Sequence, residues 1–291
     1  MIFDALHPPH DAVPSDPAPA TVLASWEPGT FLENLAPGPD GSWWVTSPSH
    51  RRVDHVAADG RLLTRVDLGA PATGIVADGD TALVTSGEPG TPGWRLLRVR
   101  DDGYVPVADL PGVTFANGMT RHGNGLVIAD CLRGALVRFT SDGAVEDLVV
   151  DPLLTPLDPQ GPLPGVNGLA VGPAGDLVMT STGRGLVLRL GAAGLEVVAE
   201  RLVGDDLTVT PDGALYVATH TFDSVLRLRP DGARADVATR VDGVVGPTSV
   251  ALEPDGRALV VTTTGGMLAA PDTPEPARLV RIDLTSGGGH P

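Results

Sequence analysis

Short apolar, β-branched runs fill most of the chain, separated by Asp-Gly or similar Gly-containing turns at 40-41, 59-60, 102-103, 124-125, 142-143, 174-175, 212-213, 231-232 and 255-256. Turns recurring at about 20-residue intervals between such runs join short antiparallel strands. Aligning alternate turns exposes a larger unit: NLAPGPDGSWWVTS, NGMTRHGNGLVIAD, NGLAVGPAGDLVMTS, DLTVTPDGALYVAT and SVALEPDGRALVVTT, with a weaker copy, TGIVADGDTALVTS, between the first two. A second strand pair follows each, as in VDHVAADGRLLTRVDL and VLRLRPDGARADVATR. The pattern predicts six units of four strands.

Four-stranded units at a period near about 40 residues are the signature of a β-propeller, one unit per blade. A sandwich of two sheets would not return the same strand-turn-strand phrase in every unit. In the last unit three strands are expected near 249-254, 258-264 and 278-284, after which the chain ends in SGGGHP. Its fourth strand must come from elsewhere. TVLASW at 21-26 stands before Glu33 as LLTRVDL stands before the second unit, so the N-terminal segment is predicted to close the ring. The expected organisation is an N-terminal arm over 1-20, one all-β six-bladed propeller over 21-284 and a C-terminal tail over 285-291.

In a blade the innermost strand starts at one mouth of the central channel, so equivalent residues just before it converge on the axis. Counting back along the aligned copies gives Glu33, Ala72, Asn117, Asn167, Asp205 and Thr248 as the axial positions. The chain holds four Asn; Asn117 and Asn167 are in this register and Asn34 is one step beyond it. Taken singly, Asn117-Gly118 and Asn167-Gly168 read as turns. Carboxylate and amide oxygens converging in one register instead suit a hard divalent cation, for which Ca²⁺ is the expected ion, with Mg²⁺, Mn²⁺ and Zn²⁺ as alternatives.

Composition narrows the chemistry. The 291 residues carry a net charge of −16, which disfavours nucleic acid and anionic membrane surfaces as partners. All 20 basic residues are Arg, so a Schiff-base lysine and a P-loop lysine are both excluded. Cys131 is the single cysteine and has no partner for an internal disulfide; a small buried residue is expected there, not a nucleophile. No apolar run approaches the ~18 residues of a membrane helix, and the first residues lack the charged and apolar regions of a signal peptide, so a cytoplasmic location is expected. No G-x-S-x-G elbow or H-E-x-x-H motif is present. Trp43 and Trp44 are adjacent on a strand and must face opposite ways, one of them between blades.

On these residues the chain resembles the senescence-marker/gluconolactonase (regucalcin-like) family of six-bladed propellers, and more remotely the paraoxonases and strictosidine-synthase-like proteins, from Glu33 to about Leu284. The resemblance implies a divalent metal held by Glu33, Asn167 and Asp205, with Asn117 assisting metal-bound water or substrate. Two departures stand out. Asp206 occupies the place of a second amide in the paraoxonase pattern, and Ala72-Thr73-Gly74 lacks the second-blade His.

The loops after the second strand of each blade return to the same mouth, which singles out His50, Arg51, Asp130, Arg133, Arg184, His220 and Asp223 as wall residues. His50, Asp130, Arg133 and Arg184, with Asn117, are the expected substrate contacts, the arginines being able to receive a carboxylate. Asp205, Asn117 and His220 are the expected catalytic residues. A metal-ligating Asp205 is held as the anion and makes a poor base, so water activation falls to the metal or to His220. His7, His10 and His290 lie in the tails. The stretches 151-166 and 265-277, rich in Leu, Pro and Ala, overhang the mouth and are expected to set substrate size. The expected substrate is a small, moderately apolar molecule bearing an oxygenated group.

Three functions remain open on this reading: a metal-dependent hydrolase of a lactone or related ester, a cyclase of natural-product biosynthesis using the same pocket, and a ligand-binding propeller without turnover. The Lys-free, Arg-, Ala-, Gly- and Pro-rich composition points to a high-GC genome, a setting in which specialised metabolism fits.

Overall fold

The computed structural model describes residues 13–268 and 274–285. Six four-stranded antiparallel sheets form a β-propeller, and helix is confined among the described residues to short 3-10 turns. The innermost strands of blades one to six are Leu35–Pro37, Ala72–Asp78, Ala116–His122, Val166–Val171, Leu207–Val209 and Pro247–Leu252. His7, His10, His290 and residues 269–273 of the last long loop lie outside the described residues.

The strand sequences follow from their depth. Second strands such as Trp43–Ser47, Leu177–Ser181 and Ala258–Thr263 are buried at every position, because each sheet is covered on both faces by neighbouring blades, and they read as continuous apolar or threonine runs. The outer strand Leu62–Asp67 is largely exposed and carries charge. Both tryptophans pack between blades. Trp43 enters the seam between blades six and one, with Leu35, Val45 and Val260, and Trp44 enters the seam between blades one and two, with Val53, Ile75 and Val84.

The N-terminal strand closes the ring as the sequence predicts. Ala20–Pro28 pairs antiparallel with Pro276–Asp283 and completes the blade that contains Pro247–Leu252 and Ala258–Thr263. Its Trp26 Nε1 donates a 2.6 Å hydrogen bond to buried Asp54 of blade one. The preceding arm continues onto blade five, where Asp16 N and Ala18 N donate to the Asp236 and Val237 carbonyls.

Threonines tie neighbouring blades together near the axis at four of the six seams. Thr46 Oγ1 donates to Thr73 O at 2.8 Å, Thr73 Oγ1 to Ala116 O at 2.6 Å, Thr180 Oγ1 to Asp205 O at 2.7 Å and Thr262 Oγ1 to Glu33 O at 2.8 Å. These bonds fix the start of the following inner strand. Away from the axis a Ser42, His55 and Asp101 relay joins blades one and two, with His55 stacked on Trp44 at a centroid distance of 3.8 Å. Ser42 Oγ also lies 2.6 Å from Pro39 O, so this group acts as an inter-blade clip.

Candidate functional site

The axial residues are aimed by irregular strand starts. Pairing between first and second strands breaks register at Ala72/Ile75, Ala116/Met119, Val166/Leu169 and Pro247/Ser249, and a bulge of this kind re-aims the side chains beside it. The Asn-Gly pairs are therefore not turns: they lie inside Ala116–His122 and Val166–Val171. A Cβ added to Gly118 would lie 2.0 Å from the Asn167 carbonyl oxygen, and one added to Gly74 would lie 2.0 Å from that of Asn117. Neighbouring inner strands approach backbone to backbone there, which only glycine permits.

Successive residues then face opposite ends of the channel. Glu33, Asn117, Asn167 and Asp205 line an upper cavity of about 470 Å³, together with His220 and Thr182. Asn34, Gly118 and Asp206, each one position later, line a lower cavity of about 230 Å³.

Two hydrogen-bonded sets make up the upper floor. Asn34 Nδ2 donates to Asn117 Oδ1 at 2.6 Å, and Asn117 Nδ2 donates to Glu33 Oε1 at 2.7 Å. On the other side Asn167 Nδ2 donates to Asp205 Oδ1 and, at 3.3 Å, to Thr182 Oγ1. His220 Nδ1 lies 3.1 Å from Asp205 Oδ2, and its Nε2 lies 3.2 Å from Thr264 Oγ1. The Cys131 thiol, fully buried, faces Asn167 Oδ1 at 3.8 Å.

The floor gathers buried carboxyl groups with no arginine among them. Burial raises the Glu33 carboxyl well above its ordinary pKa, the Asp205 charge raises it further, and the Asn117 hydrogen bond only partly opposes this. Burial also lifts Asp206 to about 7, against the pull of its Ser249 hydrogen bond. The Cys131 thiol is raised by burial and then by Asp130. Among the described residues no arginine lines the upper cavity.

A hard divalent cation fits this donor set. Buried carboxylates without a cationic partner are unfavourable until charge is supplied, and the floor offers oxygens where Ca²⁺ or Mg²⁺ takes them. Among the described residues there is no cluster of three or more His, Cys, Asp and Glu side chains, so amide and hydroxyl oxygens would have to complete the shell. As it stands, Asn167 presents its amide nitrogen to Asp205; ligation through Oδ1 requires that amide to turn over.

Other wall candidates lie behind the cavity, for reasons visible in their partners. Asp130 is fully buried and accepts from Thr114 N, Thr114 Oγ1, Phe115 N and Arg133 Nε. Arg133 turns outward to pair with Asp147 at 2.6 Å. Arg184 Nε donates to Thr155 O at 2.8 Å and holds the long loop of blade four. His50 Nδ1 sits 3.1 Å from Ser49 Oγ, and the same Ser49 hydroxyl accepts from Phe31 N. None of His50, Asp130, Arg133 and Arg184 lines the upper cavity in this structure; they brace the segments that carry Phe31, Phe115 and the loop. Arg51 pairs with Glu88, while Asp223 accepts from Gly246 N and pairs with Arg240. Thr248 Oγ1 donates to Leu32 O and serves the backbone.

Both long loops reach the mouth. The first contributes Pro162, Leu163 and Pro164, and the second contributes Leu268. Sequence reasoning missed Phe31, Phe115 and Val203, which also line the cavity. Each stands two residues before an axial position, so one more step back in the same register would have found them.

No family model and no curated protein matches the sequence. Solved structures do match in fold. Regucalcin from Agrobacterium tumefaciens, described as a calcium-binding protein, is 19% identical, with 92% of this chain and 95% of that chain covered at a TM-score of 0.68. A gluconolactonase from Xanthomonas campestris is 16% identical over 91% of this chain and 89% of that one, at 0.64. Virginiamycin B lyase from Staphylococcus aureus is 15% identical over 89% and 87%, at 0.60. The structural neighbours thus include regucalcin- and gluconolactonase-type propellers, and at these identities the likeness is one of fold.

Proposed function

We propose that the chain is a divalent-metal-dependent hydrolase that opens lactones or related esters in the upper cavity, with Ca²⁺ as the expected ion. One observation carries the reading: buried Glu33, Asn167 and Asp205 form an oxygen floor that no arginine lines among the described residues, and His220 is hydrogen-bonded to its edge. The gluconolactonase and regucalcin neighbours support it at the level of fold.

A cation held by Glu33, Asn167 and Asp205 would supply the positive charge that polarises an acyl oxygen. The chain's own groups do the rest. Asp205 Oδ2 faces His220 Nδ1, which favours the tautomer protonated there and leaves Nε2 as the nitrogen able to accept a proton from water. Thr264 Oγ1, at 3.2 Å, meets that lone pair in this structure, so its hydroxyl must swing away as water takes over the contact. Asn34 donates to Asn117 Oδ1 and one Asn117 N–H goes to Glu33, so the second Asn117 N–H is the donor left for negative charge developing on an acyl oxygen. Overall, water adds across the acyl C–O bond, its hydroxyl to the carbonyl carbon and a proton to the leaving oxygen.

A panel of lactones, assayed by acid release and product mass with and without chelator, tests the proposal. The expected products are one water heavier than the substrates and disappear with chelator. Absence of acid release from every lactone would overturn it, and a product of unchanged mass would point instead to ring closure or elimination.

A further inference from the structure

The upper cavity has a second tier, one pleat above the oxygen floor. Two residues before the axial positions, on the same side of an extended chain, stand Phe31, Ala70, Phe115, Gly165, Val203 and Gly246 in blades one to six. Large apolar side chains thus alternate with Ala or Gly around the ring. Phe31, Phe115 and Val203 line the cavity. At two of the small positions the backbone is crowded by the long loops: a Cβ on Gly165 would lie 2.0 Å from Leu154 O, and one on Gly246 3.0 Å from Gly266 N. Those loops bring Pro162, Leu163, Pro164 and Leu268 to the wall, between the large side chains. No residue of blade two lines the cavity among the described residues, so the apolar wall spans the arc from blade three round to blade one.

Charge restricts the occupant as strongly as shape. The arginines nearest the mouth are engaged with Glu88, with Asp130 and Asp147, and with Thr155. Glu33 and Asp205 lie on the floor, and Asp206 adds to the field at Glu33 from below. An anionic group on the substituent, held away from the floor, would meet an apolar wall and, among the described residues, no arginine. A polyhydroxylated ring would lose its water against Phe31, Phe115 and Leu163 without gaining partners.

We infer that the ligand of this cavity is a neutral lactone or ester carrying an extended alkyl or aryl substituent, its carbonyl on the oxygen floor and its substituent against the Phe31, Phe115 and Leu163 tier. A sugar lactone and an acyl compound bearing a carboxylate are the wrong classes. The inference rests on the hydrolase reading for the nature of the reacting group; the apolar tier sets the remainder.

Non-hydrolysable lactams separate binding from turnover. Calorimetry of the calcium-loaded protein with 5-alkyl-2-pyrrolidinones, methyl to octyl, should show affinity rising about fourfold per methylene while the chain is being buried. Gluconolactam, and a 5-alkyl-2-pyrrolidinone whose chain ends in a carboxylate, should bind far more weakly than the neutral alkyl series. Phe115→Ser, at a partly exposed wall position, and independently Leu163→Ser, should flatten the series. An affinity independent of chain length, or tighter binding of gluconolactam, would overturn the inference. The matching lactones are assayed in parallel. If the lactam series has the expected slope while no lactone is opened, the ligand class stands and the hydrolase reading falls. If gluconolactone is opened faster than the alkyl lactones, the hydrolase reading stands and this inference falls.

Discussion

Replacing Glu33 by Gln is predicted to change stability in opposite directions with and without metal. Glu33 Oε1 accepts the Asn117 amide at 2.7 Å, and burial and then the Asp205 charge push its pKa up, so its anion is held at a free-energy cost in the metal-free protein. Glutamine keeps the shape and an acceptor oxygen for Asn117 and removes the charge. Desolvation costs several kcal/mol per buried ion, and replacing a buried ion pair by well-packed neutral groups is neutral or stabilises by about 1–4 kcal/mol. Only one of two facing carboxylates is removed here, so about 1–2 kcal/mol is expected for the metal-free variant, which corresponds to a rise of a few degrees in Tm. Calcium at 100 times its Kd should stabilise wild type by about 2.7 kcal/mol and the variant by far less. Thermal unfolding of both proteins at pH 8, in chelator and in calcium, reads all four states. The sign with pH is fixed: a raised carboxyl pKa makes the folded state bind its proton more tightly, so the metal-free advantage of Gln should shrink at pH 5. A Glu33→Gln protein less stable than wild type in chelator, with an undiminished calcium response, would refute the reasoning.

Further expected outcomes concern charge, closure, packing and the lid. Asp206, raised by burial to about 7, should make metal-free stability fall as pH rises from about 4 to about 7, and Asp206→Asn should remove that component from the difference between urea-melt profiles. Trp26→Phe deletes the donor to buried Asp54 and should cost about 1.5–3 kcal/mol in urea unfolding. Gly118→Ala places a methyl against Asn167 O and should destabilise by about 1–3 kcal/mol or more, visible as a lowered Tm in chelator as well as in calcium. Leu268→Ser, at the exposed lip of the cavity, should raise KM for apolar lactones several-fold while calcium affinity by calorimetry stays the same.

The repeat made the ring legible. Turn glycines and recurring VTS-like second strands located the blades, and the orphan strand at 21-26 had only one place to go. The register that marked Glu33, Asn117, Asn167 and Asp205 depended on strand starts repeating in every blade, so it survived the irregular pairing there. Partners supplied by other strands were not legible. Arg133 meets Asp147 because its blade brings a third-strand loop beside an outer strand, and Arg184 meets Thr155 across the long loop. Asp206 is chemically equivalent to Asp205 in sequence, yet alternation along an extended chain sends it to the lower chamber. Phe115 shares a face with Asn117 and was legible by the same register, two residues earlier, although it carries no oxygen donor.

The most direct test of the metal-dependent floor is a calcium titration of chelator-treated protein, followed at once by calorimetry and by hydrolysis of one apolar lactone. The account predicts a single binding event, return of activity along the same isotherm, and loss of both in Asp205→Asn. Full hydrolysis in chelator, or calcium binding that Asp205→Asn leaves intact, would contradict it.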